Sequence, residues 1–382
     1  MYDLRGYGAM LADEGRLAAF HQSIRAAVKP GTLVLELGTA TGLMAFWAAQ
    51  SGARHVHAVE PDATIALARQ SARDNGLAEG ITFHQTVSSR LTLPERAQVL
   101  IEDMRGAMPC FKTHLPDIID ARARLLTPDA ILICQRDTLL VTVATAEKQS
   151  RCVHAPWDGS RWGLDLKAAG RLAPNCYLKH RCAPDDVLAE PRAWAEIHYP
   201  TVSSPHVRGG AELVVTRAGT AHGLALWFDA ELFGGFRFSN APTEPKHTYG
   251  SAFLPWPAPT PLLAGDRLTV KLDAVFTGND YEWNWASTVR RNGQAAPVAQ
   301  FKQSTFQGRP PAPAVPAKQA GSFRPRRSAA AEVQRFLLDR MDGTATNTEL
   351  AAALRGQFPQ AFPTDAAALA RVVEVVGKLA AD

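Results

Sequence analysis

VLELGTATGLMAFWAAQSGARHVHAVE, Val34 to Glu60, holds an apolar run closed by glycine, a stretch with large residues at helical spacing, and a second apolar run that ends on an acid. In order these are a strand, a turn, a helix and a strand. The turn ELGTATG, Glu36 to Gly42, is glycine-rich, so a ligand can approach its backbone closely, and the helix that follows offers unpaired amide hydrogens and a positive dipole end. The spacing Gly38, Ala40, Gly42 is not the full dinucleotide pattern, because alanine holds the middle position. Glu60, where the second strand ends, has a carboxylate that can accept hydrogen bonds from both ribose hydroxyls of an adenosine group. The conjunction points to S-adenosylmethionine or a nicotinamide dinucleotide; the competing reading is an unliganded turn with a surface glutamate.

The same alternation continues outward. LADEGRLAAFHQSIRAAV carries helical spacing, and TLVLELG, HVHAVE, ITFHQTV, AQVLIED and AILICQ are short apolar runs separated by helical or turn-rich sequence. Residues 1–145 are therefore expected to form a parallel α/β sheet covered on both faces. From residue 146 to 307 the texture becomes β-rich and broken by Pro and Gly, as in AELVVTRAG and HGLALWFDAELFG, which predicts a barrel or sandwich. In YEWNW, Tyr281, Trp283 and Trp285 share one strand face, a pattern that fits core packing better than a binding platform. Residues 308–327 include GRPPAPAVPAKQAG and predict an extended linker. Residues 328–382 predict a three-helix module, with Gly343 as a stop and Thr346 or Asn347 as a cap before ELAAAL.

The formal charge is +4 over 382 residues with the basic residues dispersed, which does not describe a nucleic-acid binder. No apolar run reaches the ~20 residues of a spanning helix, and MYDLRGYGAM has no signal-peptide pattern, so the chain is expected to be cytoplasmic. Its five cysteines form no CxxC spacing; free thiols are expected, and no metal site.

At this level of detail the chain resembles the protein arginine methyltransferase family, in order from Tyr2 to Val289. MLADEGR is similar to the family's ML-DEVR segment, which puts Arg16 on the cofactor's methionine carboxylate. VLELGTATG and HVHAVE match its cofactor strands, which carries cofactor roles to Glu36, Gly38, Gly42 and Glu60. In TVSSR, Val87 and Ser88 fall on the family's adenine-reading Val-Glu pair, with serine replacing glutamate. ARARLLTPDAILI, WDGSRWGLDL and RFSNAPTEPKHTYGSAFLP resemble further segments. The resemblance implies a Rossmann-like methyltransferase domain, a β-barrel, a dimerisation arm near residues 165–190, methyl transfer from S-adenosylmethionine with S-adenosylhomocysteine as product, and a homodimer.

The acceptor loop departs from the pattern. IEDMRGAMPCFK lies over the family's ISEWMGYxLxxE, so Asp103 falls on the first substrate-binding glutamate and Lys112 on the second. Two carboxylates hold a planar cation bidentately in line with the methyl donor; a lysine in place of one repels it. Lys112 is then expected to anchor an anionic or polar group and Asp103 to orient or deprotonate the attacking atom, against a competing reading as a structural ion pair. A slip of one residue would put Glu102 in place of Asp103. The family's THW motif lies over His247, Thr248 and Tyr249 counted forward from Pro242, or over Lys246, His247 and Thr248 counted back from Phe253. Either His247 or Tyr249 is a candidate to orient the nucleophile.

FLLDRMDGTATNTELAAAL resembles part of PqqD-like modules, which bind the leader segments of peptide precursors, although the strands used for such binding are not evident. The expected function is methylation of a peptide or protein side chain other than an ordinary arginine, in a ribosomal peptide natural-product pathway. Two alternatives stand beside it: an arginine N-methyltransferase with a rearranged acidic pocket, and a catalytically silent scaffold.

Overall fold

The computed structural model describes residues 3–159, 162–309 and 321–380. Most of the expected linker, residues 310–320, lies outside the described residues. The chain divides into two compact units, Met1–Pro310 and Pro311–Asp382.

The first unit opens with α1 (Leu4–Leu11) and α2 (Glu14–Ala27), each capped by an aspartate, Asp3 and Asp13. There follow β1 (Leu33–Leu37), α3 (Leu43–Gln50), β2 (His55–Val59), α4 (Ile65–Asp74), β3 (Ile81–His84), β4 (Ala97–Glu102), α5 (His114–Arg124) and β5 (Leu126–Leu132). The five strands pair in the order β3-β2-β1-β4-β5, every pair parallel. All five residues of β1 are buried, as expected of a central strand covered on both faces. The order reverses between β1 and β4, and the crevice beyond their carboxyl ends is where an open α/β sheet binds ligands.

The antiparallel part begins at Cys134, only two residues after β5 and earlier than the boundary expected near residue 145. AILICQ therefore supplies the last parallel strand and the start of a barrel strand. The elements are β6 (Cys134–Ala144), α6 (Glu147–His154), α7 (Lys167–Gly170), β7 (Leu178–Lys179), β8 (Arg192–His198), β9 (Val207–Val214), β10 (Gly219–Leu232), β11 (Arg237–Ser239), β12 (Ala252–Leu262), β13 (Arg267–Phe276), β14 (Tyr281–Arg290) and β15 (Ala299–Ser304). They form a sheet ordered β7-β12-β10-β6-β8, with β11 added to β10, and a second ordered β15-β14-β13-β9. Tyr281, Trp283 and Trp285 all face inward and are buried; Trp285 donates its indole N–H to Gln303. One apolar core runs from the parallel sheet into the barrel, so the carboxyl end of β4 and the barrel strands share a wall.

The second unit holds α8 (Ala329–Leu338), α9 (Asn347–Gln357) and α10 (Asp365–Leu379) around Val333, Leu337, Leu350, Leu354, Val372 and Val375. Thr346 caps α9 in a reciprocal capping box with Glu349. Helix α8 stops at Leu338, before Gly343, which takes a left-handed turn conformation. Among the described residues no helix is long and apolar enough to cross a membrane.

Candidate functional site

The turn between β1 and α3 shapes one wall of a cleft. Gly38 has φ +76°, and a Cβ there would come within 2.9 Å of Met104; Gly42 caps α3 at φ +93°, where a Cβ would strike the Phe46 ring at 2.6 Å. Ala40, the residue in place of the usual glycine, takes φ +49°, a conformation that costs an L residue about 1 kcal/mol or more. Glu60 fixes this turn: Oε2 accepts from the Ala40 amide and Oε1 from the Asp62 amide, both at 3.1 Å. Its remaining lone pairs stay available to ribose hydroxyls.

Glu36 is buried and accepts from the Thr39 hydroxyl at 2.6 Å. Burial, reinforced by repulsion from Glu60 and only partly offset by the hydrogen bonds from Thr39 and Ala45, raises its pKa from 4.5 to about 7. The sign follows from linkage: a carboxyl with a raised folded pKa favours the fold while it is protonated and penalises it once ionised. Its contribution is full below about pH 4.5 and is lost as pH rises through 7. Wild type minus Glu36→Gln should therefore show a loss of roughly 3 kcal/mol over that window for the ligand-free protein. Denaturant melts of both proteins at pH 5 and pH 8 check it; parallel pH curves would contradict it.

Facing this wall, α2 places Arg16, buried with its guanidinium fanned over three groups. Nη1 donates to Asp103 Oδ2 at 2.5 Å, Nη2 to the Met10 carbonyl at 2.8 Å, and Nε lies 3.5 Å from Asp13 Oδ2 in ion-pair contact. That Nε is buried without a hydrogen-bond partner. Burial opposes its charge, but Tyr249, Asp103 and Asp13 raise the pKa of Arg16 above its ordinary value. Tyr7, Met10, Arg16, Glu36, Gly38 and Asp103 line one cleft at the carboxyl ends of β1 and β4. A guanidinium on one wall of this cleft, and a glycine turn carrying the acids Glu36 and Glu60 on the other, fit the carboxylate and the adenosine of an amino-acid nucleoside.

The acceptor side is built from β4 and the barrel. Asp103 follows β4 and is engaged on both oxygens: Oδ1 accepts from the Tyr249 hydroxyl and from Arg105 Nη1 at 3.2 Å, Oδ2 from Arg16. Glu102, just before it, accepts from the Met104 amide at 2.8 Å and pairs with His114 Nδ1, both on Oε1; Oε2 is buried and unpartnered. His114 Nε2 contacts the Tyr199 hydroxyl at 3.0 Å, and that hydroxyl donates to Asp137 at 2.5 Å. His247, at 7 % exposure, bonds Asp13 Oδ1 at 2.7 Å. Burial pushes the Asp13 carboxyl up, but this contact, the hydrogen bond of the Thr248 amide to the same carboxylate and the charge of Arg16 together hold it below the ordinary carboxylate range.

Of the expected residues, Arg16, Glu36, Gly38, Glu102 and Asp103 meet in the cleft, Gly42 and Glu60 shape its turn, and His247 and Tyr249 stand behind Arg16 and Asp103. Lys112 does not join them. It is exposed, turned out at φ +44°, with its amide on Asp280 and its ammonium 5.2 Å from the Phe111 ring, so it forms neither an anchor in the cleft nor an ion pair with Asp103. Lys112→Glu should consequently change the rate of methyl transfer to the acceptor by no more than about twofold, the ~0.5 kcal/mol of an ordinary surface substitution, as an assay with labelled S-adenosylmethionine can check; a tenfold change would restore Lys112 to the acceptor pocket. Val87 is exposed, and Ser88 gives its hydroxyl to Asp117 at 2.6 Å, which takes that hydroxyl away from a base edge. Sequence reasoning missed Arg105, Asp137 and Tyr199.

No family model matches the chain. It is 26% identical to protein arginine N-methyltransferase 2 of Homo sapiens over 317 residues, covering 76% of this chain and 72% of the relative. It is 25% identical to the arginine N(omega)-methyltransferase of Streptomyces achromogenes subsp. streptozoticus, covering 70% and 75%. Among solved structures, the Trypanosoma brucei PRMT1 enzyme-prozyme heterotetrameric complex with AdoHcy matches with a TM-score of 0.71 at 21% identity, over 78% of this chain and 97% of that one. Arabidopsis thaliana protein arginine methyltransferase 10 matches at 0.69 and 20%, over 78% and 96%.

Proposed function

We infer that this chain, a relative of the protein arginine methyltransferases in sequence and in fold, is an S-adenosylmethionine-dependent methyltransferase that acts on a peptide or protein side chain other than an ordinary arginine. The cofactor supplies an electrophilic methyl group. Arg16 holds its carboxylate, Glu60 its ribose, and the Gly38 turn lets the backbone close on it. The chain's own residues then place the acceptor at the carboxyl end of β4, with Asp103 and Glu102 on the acceptor side.

The observation that carries the acceptor reading is the state of Asp103. Its oxygens already serve Arg16, Arg105 and Tyr249, and Lys112, exposed outside the cleft, supplies no carboxylate at the family's second glutamate position. A substrate guanidinium would enter as a third cation beside Arg16 and Arg105, and at ~4 Å with an effective dielectric near 20 each such repulsion is about 4 kcal/mol. The test is incubation with labelled S-adenosylmethionine and a panel of peptides, followed by mass spectrometry. Methyl gain on non-arginine side chains supports the reading, and arginine-only methylation overturns it.

One observation favours a second reading, an arginine N-methyltransferase whose pocket is completed by Glu102: Oε2 of that residue is buried and unpartnered in the same cleft. Glu102→Gln should then abolish arginine methylation. The helical unit at residues 328–382 suits delivery of a flexible peptide, since tethering raises its effective concentration, and the module's resemblance supports a place in ribosomal peptide biosynthesis. We place the enzyme in the cytoplasm, as a homodimer through the segment near residues 165–190; its five cysteines are free.

A further inference from the structure

Strand β6 turns Asp137, Leu139, Val141 and Val143 inward, and all four are fully buried. A carboxylate on that face requires a cation, and Arg105 supplies it. Nε donates to Asp137 Oδ2 at 2.7 Å and Nη2 to Oδ1 at 2.8 Å, a two-pronged pairing, while Nη1 reaches Asp103 Oδ1 at 3.2 Å. The guanidinium carbon lies 5.3 Å from the Tyr199 ring centre and 5.7 Å from those of Phe228 and Phe238. Carboxylates on the edges and aromatic rings over the faces are what a protein uses to hold a guanidinium. Burial opposes its charge, yet Asp137, then Cys134 and Tyr199, hold Arg105 protonated, with its pKa well above the ordinary value.

This cage adjoins the carboxylate that the resemblance assigns to a substrate's guanidinium. Three carboxylates, Asp13, Asp103 and Asp137, pair with two guanidiniums, Arg16 and Arg105, and Asp103 is shared by both. Beside them Glu102, on the wall of the cleft, has one unpartnered acceptor, the buried Oε2, because Oε1 already takes the Met104 amide and His114. A lone free oxygen can accept N–H or O–H donors, but it lacks the second free oxygen that a guanidinium fork pairs with in parallel.

We propose that Arg105 is a resident guanidinium that occupies the cationic subsite at Asp103, so that the acceptor group is an uncharged N–H or O–H donor received by Glu102 Oε2. The inference rests on the methyltransferase reading above. On transfer, the acceptor's nitrogen or oxygen bonds the methyl carbon as the carbon–sulfur bond breaks with its electron pair returning to sulfur. The acceptor's proton passes to the Glu102 carboxylate.

The test uses the full chain, loaded with S-adenosylhomocysteine and titrated with a Gly-Arg-Gly-containing peptide, in wild type, Arg105→Ala and the Arg105→Ala/Asp137→Asn double variant. The double variant removes both halves of the buried pair and so protects against misfolding of the single one. The expected result is no measurable peptide binding by wild type and a gain of at least about tenfold once Arg105 is removed, with methylguanidine competing. Micromolar binding of the peptide by wild type would overturn the proposal. So would folded variants that bind S-adenosylhomocysteine normally but gain nothing, even if methylguanidine raises their melting point, because Arg105 is then a packing residue only. Failure of wild type to bind S-adenosylhomocysteine sinks the methyltransferase reading instead, a distinguishable outcome.

Discussion

Asp137→Ala should lose about 3–5 kcal/mol of folding stability, the range for removing one partner of a buried ion pair. Asp137 and the Arg105 side chain are fully enclosed, and Asp137 also accepts from the Tyr199 hydroxyl. The loss leaves a guanidinium in the core with Asp103 as its one remaining carboxylate, at 3.2 Å. Equilibrium denaturation of wild type and variant measures it, on the transition of the first unit. A loss under about 1 kcal/mol, the size for an exposed pair, would mean that water reaches Arg105 and that the cage is open.

Arg16→Ala should weaken S-adenosylhomocysteine binding by at least about thirtyfold, since truncating one partner of a buried, hydrogen-bonded charge pair costs 2–5 kcal/mol at ~1.4 kcal/mol per decade. Arg16 also neutralises Asp103 and Asp13, so the comparison needs Arg16→Lys. Lysine keeps the charge but lacks the fork, and it should recover stability more than affinity. If both variants bind like wild type, the cofactor carboxylate is held elsewhere.

How far these features can be read from the sequence depends on how local their causes are. β1, the glycine turn, α3, β2 and Glu60 lie within 27 consecutive residues, and their apolar spacing, turn residues and terminal acid each act over a few positions. The inward face of YEWNW and the Thr346 cap are legible for the same reason. The start of the antiparallel strands at Cys134 is not legible in the sequence, because β5 and β6 follow each other within two residues and nothing in their composition separates a parallel edge from an antiparallel barrel strand.

The partners of Asp103 are another matter. Arg16 lies 87 residues away and Tyr249 146, while His247 meets Asp13 across 234; such pairs are set by topology. An ungapped count sets Lys112 opposite Asp103, but the backbone turns it outward. One signal did lie in the sequence: Asp137 shares strand parity with Leu139, Val141 and Val143, which marks a carboxylate on a core face, and such a residue demands a buried cation. Arg105 stands in the otherwise uncharged run MRGAMPCF, the pattern that a buried partner cation leaves.

The most direct measurement is isothermal titration of the full chain with S-adenosylmethionine, S-adenosylhomocysteine and NAD. A cofactor site built on Arg16, the Gly38 turn and Glu60 predicts micromolar binding of the two adenosyl ligands and none of NAD. Absence of adenosyl binding, or binding of NAD at comparable strength, would contradict it and leave the fold serving as a scaffold.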